Sequence, residues 1–140
     1  MFLILDTNHY RELAAGTSIG LDLERRLIDS GYDVFTTIVT IQEVTQGWLA
    51  EINRRRAGRD QLAAYDQFFR AIRSFENIDY LPFDAEAVES FDRLRALFPN
   101  SGTMDLKIAA VSISHAALLL TRNVGDFSRL PEVRVENWLD

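Results

Sequence analysis

The sequence predicts an α/β fold, a three-layer α/β/α sandwich around a central, mainly parallel sheet. Three observations carry that expectation. The chain opens on an unbroken apolar run, Phe2-Leu3-Ile4-Leu5, without the polar alternation of a half-exposed strand, as in a strand covered on both faces. Short apolar runs then alternate with stretches of helical periodicity along the rest of the chain. The first run ends abruptly in Asp6-Thr7-Asn8, and sites in such sheets lie beyond the carboxyl ends of the strands.

Helical periodicity begins after Asn8, around residues 9–15, and Gly16 closes that segment. Thr17 or Ser18 can cap a second helix with Leu21, Leu23, Leu27 and Ile28 inward, ended by Gly31. Residues 34–37 read as a second strand. Ile41, Val44, Trp48 and Ile52 recur at helical spacing, giving a long helix from about Thr40 into the arginine-rich stretch 53–59. Asp60 is the expected cap of a further helix, with Tyr65, Phe68, Phe69 and Ile72 on one face.

Residues 78–83 suggest a third strand, and Pro82 suits its end or a sheet edge. Asp84 can cap the next helix, whose stripe is Val88, Phe91, Leu94 and Phe98 and which Pro99 stops. Asn100-Ser101-Gly102-Thr103 is turn chemistry leading into a helix with Leu106, Ala109, Ala110 and Ile113 inward. Residues 117–120 form a short buried strand ending at Thr121, 122–128 a loop or single turn, and 133–135 a last edge strand.

Length and composition narrow the classes. At 140 residues with 47% hydrophobic and 26% charged side chains, residues 1–140 are expected to form a single domain with a real core. The absence of cysteine excludes disulfides and thiolate metal sites, leaving oxygen ligands and His9 and His115. No apolar run is long enough for a signal or membrane segment, so a cytoplasmic protein with no membrane partner is expected. The net charge of −6 does not by itself attract nucleic acid. Yet Lys107 is the only lysine among 15 basic residues. Arginine suits bidentate contact with phosphate, although codon usage in a GC-rich genome accounts for the same excess.

Acidic residues recur where this layout has its strand ends. Asp6 follows strand one, Glu43 lies in the first turns of the helix after strand two, Asp105 opens another helix, and Asn123 and Asp126 follow the penultimate strand. Parallel strands send their carboxyl ends to one side, so these positions can converge. Two carboxylates about 5 Å apart repel by roughly 3 kcal/mol at an effective dielectric near 20, and a hard divalent cation turns that repulsion into binding.

Singly, each acid has a plainer role: Asp6 as a helix cap, Glu43 as a solvated helix residue, Asp105 as a helix-dipole partner, Asp126 as a loop acid. The case rests on their joint placement. Gly47, one turn after Glu43, leaves room beside that carboxylate, and Ala109 and Ala110 let the Asp105 helix approach the sheet. Thr7, Asn8, Thr36, Thr37 and Thr121 offer short polar groups for hydrogen bonds to the ligating carboxylates. His9 and His115 are not spaced as a metal pair and read as structural.

These residues form a recognisable series. Leu5-Asp6-Thr7-Asn8, then Thr40-Ile41-Gln42-Glu43, then the run from Gly102-Thr103-Met104-Asp105 to Ala110, then Leu120-Thr121-Arg122-Asn123-Val124-Gly125-Asp126-Phe127 resemble the PIN-domain ribonucleases. The resemblance is greatest to the VapC-type toxins of bacterial toxin–antitoxin pairs. It covers essentially the whole chain. It implies a Mg²⁺- or Mn²⁺-dependent endoribonuclease with one or two ions, generally a homodimer, held inactive by a small antitoxin. Asp6, Glu43 and Asp105 match the family's three central acids and are the expected catalytic residues and metal ligands. Asn123 stands where many members have Asp, with Asp126 three residues later; both are counted with the metal ligands. Thr7, Asn8 and Thr121 support them. Water would attack the scissile phosphorus in line, leaving 5′-phosphate and 3′-hydroxyl ends.

Arg54, Arg55, Arg56 and Arg59 are candidates for gripping RNA away from the cut, with Arg122 nearer to it. A solvated helix end complementing the dipole explains the first four equally well. The Phe-rich faces between Phe68 and Phe98 read mostly as core, with part available for a dimer contact or an antitoxin groove. Two phosphotransfer alternatives fail on their own motifs. A haloacid-dehalogenase-type phosphatase wants Asp-x-Asp after strand one, and a receiver domain wants its lysine near the last strands. A catalytically silent module that binds antitoxin or RNA stays open, favoured by Asn123.

Overall fold

The computed structural model describes residues 1–130 and 132–140. The chain runs β1 (Phe2–Leu5), α1 (Thr7–Ala15), α2 (Ser18–Ser30), β2 (Asp33–Thr37), α3 (Ile38–Asn53), α4 (Leu62–Ser74), β3 (Asp79–Leu81), α5 (Ala85–Leu97), α6 (Thr103–Ser114), β4 (Leu118–Leu120), the single turn α7 (Val124–Phe127) and β5 (Arg134–Glu136). The five strands form one wholly parallel sheet in the order β3-β2-β1-β4-β5.

β1 lies at the centre, and its side chains show why it carries no polar alternation. Ile4 points to one face, where it joins Leu119, Leu94, Leu106, Ile108 and Val111 under α5 and α6. Leu3 and Leu5 point to the other, against Tyr10, Leu23, Leu27 and Val44. Two faces of burial in four residues require four apolar side chains. Ala109 and Ala110 are fully buried, which brings α6 close to the sheet as expected.

Local signals predicted the helix ends well. Gly16 and Gly31 close α1 and α2 in the left-handed region, with φ of 64° and 68°. The Thr17 hydroxyl caps α2, and Asp84 caps α5 through the Ala87 N–H. Asp60 does not cap α4. It sits inside a 3-10 turn, Arg59–Gln61, that leads into the helix.

The apolar stripes of three helices are only partly buried. Of the four predicted on α2, Leu23 and Leu27 are buried; Leu21 and Ile28 face solvent, Ile28 at 71% exposure. The inward line of that helix is Gly20-Leu23-Leu27. A Cβ on Gly20 would lie 2.0 Å from the Glu12 carbonyl oxygen, so the α1–α2 contact is made backbone against backbone. On α4, Tyr65, Phe69 and Ile72 are exposed, as is Leu62 at 70%. Ala64 and Ala71 face inward instead. Small residues let α4 lie near its neighbours; of its large apolar side chains Phe68 is half-buried and the others are left outside. Val88 on α5 is likewise exposed, whereas Leu94 is buried.

Candidate functional site

The strand order reverses at β1, which pairs with β2 on one side and β4 on the other. The crevice at the carboxyl end of this switch point is where open parallel sheets place their sites. Here the backbone is tightly specified. The Asp6 N–H donates to Leu120 O at 3.0 Å, the Thr121 N–H to Glu136 O at 3.0 Å, and the buried Thr36 hydroxyl to Leu5 O at 2.9 Å.

Asp6 is both a helix cap and a member of the acid edge. It ends β1 with extended backbone, and its Oδ1 accepts the His9 main-chain N–H at 2.8 Å. The same oxygen is 3.0 Å from His9 Nδ1. Thr7 follows and donates its hydroxyl to Glu43 Oε1 at 2.7 Å. That uses its one proton, so at the 3.2 Å contact between the Thr7 and Thr40 hydroxyls Thr40 is the donor. The resulting chain, Thr40 to Thr7 to Glu43, orients the half-buried Glu43 from the first turns of α3. Thr37 caps α3 through the Thr40 N–H.

Asp105 lies in the first turn of α6, beside Gly102, where an added Cβ would come within 3.5 Å of its Oδ2. One side of the carboxylate is open to solvent. Its pKa is nevertheless raised above the ordinary Asp value, first by desolvation and then by the negative charges of Glu43, Asp6 and Asp126. Acids from three other segments, Asp6 after β1, Glu43 on α3 and Asp126 on α7, thus lie near enough for their charges to reach Asp105. No Arg or Lys of the described residues lies within salt-bridge distance of Glu43, Asp105 or Asp126. None of these three carboxylates is tied up in an ion pair among those residues.

Asn123 and Asp126 join Asp105 along a cavity of about 170 Å³ that Gly102, Phe127 and Arg129 also line. A larger cavity of about 720 Å³, among Tyr10, Leu27, Ile28, Tyr32, Val34 and Ile78, contains none of the predicted site acids. The smaller one holds Asp105, Asn123 and Asp126, whereas Asp6 and Glu43 are not part of its lining. Among the described residues, no three His, Asp or Glu side chains are already set as an ion cage. The donor set is nonetheless all oxygen and negatively charged, with Glu43, Asp105 and Asp126 in no ion pair among the described residues. That chemistry suits a hard divalent cation, which draws such ligands inward.

Other expected residues fall in different places. Thr121 turns its hydroxyl to the Asn123 N–H at 3.0 Å, shaping the loop rather than touching an acid. Asn8 is exposed, with no side-chain hydrogen bond among the described residues. Arg54 and Arg55 clasp Glu51 at 2.6 and 2.7 Å and hold its carboxylate below the usual range. Arg54 lies eleven residues beyond Glu43 on the same helical rise, about 16 Å along the axis. This arginine group is not brought to the acids. Arg122 lies 3.4 Å from the Asp140 carboxylate.

The residues that sequence reading missed are mostly partners across long separations. The space at Gly47 is used by α1: a Cβ there would meet the Arg11 guanidinium at 3.4 Å. Arg11 follows Thr7 by one turn, as Gly47 follows Glu43, so a cation stands on the rim beside the acids. Arg129 supplies another on the α7 side. The i, i+4 pairing of Thr7 with Arg11 was the signal available. His9, read as structural, touches Asp6 directly.

Together these features define an α/β/α protein whose polar centre is an acidic crevice at the carboxyl edge of a parallel sheet. The chain belongs to the PIN-domain family, whose model matches residues 3–133. Among solved structures it is similar to a chain of VapBC-1 from nontypeable Haemophilus influenzae, with TM-score 0.76 at 21% identity over 100% of both chains. DNA-bound VapBC from Salmonella typhimurium gives 0.74 at 19%, covering 99% of this chain and 98% of that one. Mycobacterium tuberculosis VapC20, described as a sarcin-ricin loop cleaving toxin, gives 0.59 at 22% over 96% and 98%. Likeness at these identities establishes the shared fold. Compared with curated proteins, the sequence has no significant match. Among the described residues no helix is long and apolar enough to cross a membrane.

Proposed function

We propose that this chain is a VapC-type endoribonuclease, a single nuclease domain over residues 1–140 that hydrolyses RNA with Mg²⁺ or Mn²⁺ and is restrained by a partner antitoxin. The observation that carries the reading is the placement of Asp105 close enough to Glu43, Asp6 and Asp126 for their negative charges to raise its pKa, with Thr7 bonding Glu43 beside Asp6 and none of Glu43, Asp105 and Asp126 held in an ion pair among the described residues. The VapBC structures with the same fold support the toxin assignment.

Asp6, Glu43 and Asp105 would hold the cation, with Asn123 or Asp126 completing the set. When bound, one or two ions neutralise the carboxylates, make water a stronger nucleophile and stabilise the departing 3′ oxygen. The rest falls to the chain itself. Thr40 and Thr7 hold Glu43 in place. Gly102 keeps backbone, not side chain, beside Asp105. Arg11 and Arg129 offer bidentate contacts to phosphates on either side of the acids, a role Arg54, Arg55, Arg56 and Arg59 would play only for distant RNA. The exposed face of α4, with Leu62, Tyr65, Phe69 and Ile72, is available to the antitoxin or to a second copy in a homodimer.

A second reading, a silent antitoxin- or RNA-binding module, is favoured by Asn123 at a position where charge is expected. Incubating purified protein with RNA decides between them. The nuclease reading predicts cleavage in Mg²⁺ or Mn²⁺, its loss in EDTA, and loss in Asp6→Asn and Asp105→Asn. Undiminished cleavage in both variants would rule out this site, and no cleavage by the unmodified protein would favour the silent module.

A further inference from the structure

We propose that His9 is a positioning residue for Asp6, fixed in the required tautomer by the C-terminal segment. The inference rests on the nuclease reading, since the carboxylate it concerns belongs to that site. His9 is fully buried on α1, and both ring nitrogens have partners. The Trp138 main-chain N–H lies 3.2 Å from Nε2. An amide N–H can only donate, so Nε2 carries the lone pair and the ring proton is on Nδ1. Nδ1 is 3.0 Å from Asp6 Oδ1, which also takes the His9 main-chain N–H at 2.8 Å.

Two donors on one oxygen fix the rotation of the carboxylate. Asp6 Oδ2 accepts no hydrogen bond among the described residues. No buried side-chain oxygen or nitrogen there lacks a partner, so Oδ2 is the oxygen that remains accessible. Since the Asp6 charge is felt at Asp105, the geometry leaves Oδ2 for the acid cluster and whatever it holds. A residue of equal size without nitrogens would leave Asp6 with one donor and the Trp138 amide without its acceptor.

The far end of this connection is itself anchored. The Arg26 guanidinium lies 4.2 Å over the Trp138 ring, and the indole N–H donates to Glu136 Oε1 at 3.1 Å. Asn137 accepts the Leu139 N–H at 2.9 Å and donates to Asp140 at 2.9 Å. The segment after edge strand β5 thus sets the orientation of an acid at the end of central strand β1. Partners that orient a ligand through its non-coordinating atom typically govern metal affinity by 10–100-fold.

Nitrogen-15 NMR of the full-length protein reads the tautomer. The expected spectrum shows His9 Nε2 unprotonated and Nδ1 protonated; the reverse overturns the proposal. Two substitutions then separate the ends of the ring. His9→Asn keeps an amide nitrogen near the Nδ1 position, whereas His9→Gln keeps its amide near Nε2. Calorimetric titration with MnCl₂ is expected to show His9→Asn within about threefold of the unmodified protein and His9→Gln weaker by about tenfold or more. In RNA cleavage, His9→Gln should lower kcat with KM unchanged.

Equal Mn²⁺ affinity in the two variants overturns the proposal. If His9→Gln does not fold, Trp138→Pro, which removes the tail N–H, is compared with Trp138→Phe, which keeps it. Weaker Mn²⁺ binding in the proline variant alone supports the role of the tail, and equal binding overturns it. Failure of the unmodified protein to bind Mn²⁺ or cleave RNA would overturn the nuclease reading itself, a result distinct from any difference between variants.

Discussion

Removing one charge from the acid edge should stabilise the metal-free protein while destroying its capacity to hold metal. Asp105→Asn is the informative change, because Asp105 feels Glu43, Asp6 and Asp126 together. Its carboxylate is partly open to solvent, so each repulsion is worth at most the few tenths to 1 kcal/mol of exposed pairs. Three such terms amount to about 1 kcal/mol, a rise of about 3 °C in Tm for a chain this size. Unfolding is followed by circular dichroism in EDTA and again in Mn²⁺. With the ion at 100 times its Kd, the unmodified protein gains about 2.7 kcal/mol, so the order of the two melting curves inverts. The pH dependence has a fixed sign. A raised folded-state pKa for an acid means that the repulsion is present above that pKa and lost as pH falls through it, so the EDTA gap should close in acid. An Asp105→Asn protein that melts no higher than the unmodified one in EDTA, and gains as much from Mn²⁺, would refute the reasoning.

Three further outcomes follow from the geometry. Asn123→Asp restores charge beside Asp105 and Asp126; it should tighten Mn²⁺ binding by about tenfold, the scale of one added carboxylate interaction of roughly 1.4 kcal/mol, measured by calorimetry. Arg11→Ala removes the cation seated at Gly47 and should raise KM for RNA severalfold, with a shallower salt dependence of binding and little change in Tm. Gly20→Ala places a methyl group 2.0 Å from the Glu12 carbonyl oxygen and should cost about 1–3 kcal/mol or more by forcing α1 and α2 apart, read as a lower denaturant midpoint.

What could be read from the residues depended on how far the deciding contact reaches along the chain. The ends of α1, α2 and α5 were accessible because Gly16, Thr17, Gly31 and Asp84 act within a turn of themselves. β1 was accessible because burial on both faces leaves an unbroken apolar run. Periodicity shows that a helix has an apolar side but not whether anything covers it. That is why the shared face of Tyr65, Phe69 and Ile72 on α4 could be read from spacing, and their exposure could not. At the site, Asp6 could be proposed from its position after β1, and Glu43 and Asp105 from the early turns of α3 and α6. The Thr7–Glu43 bond spans 36 residues, and the Trp138–His9 bond spans 129. No local spacing encodes either, so the hydroxyl chain behind Glu43 and the ring behind Asp6 emerged only from the folded chain.

The most direct test of the central claim is anomalous X-ray scattering from crystals of the protein soaked in Mn²⁺. The account predicts an anomalous peak among the carboxylates of Asp6, Glu43 and Asp105, absent from Asp105→Asn crystals treated alike. Saturating Mn²⁺ with no peak between these three residues, or with its only peak elsewhere on the surface, would contradict it.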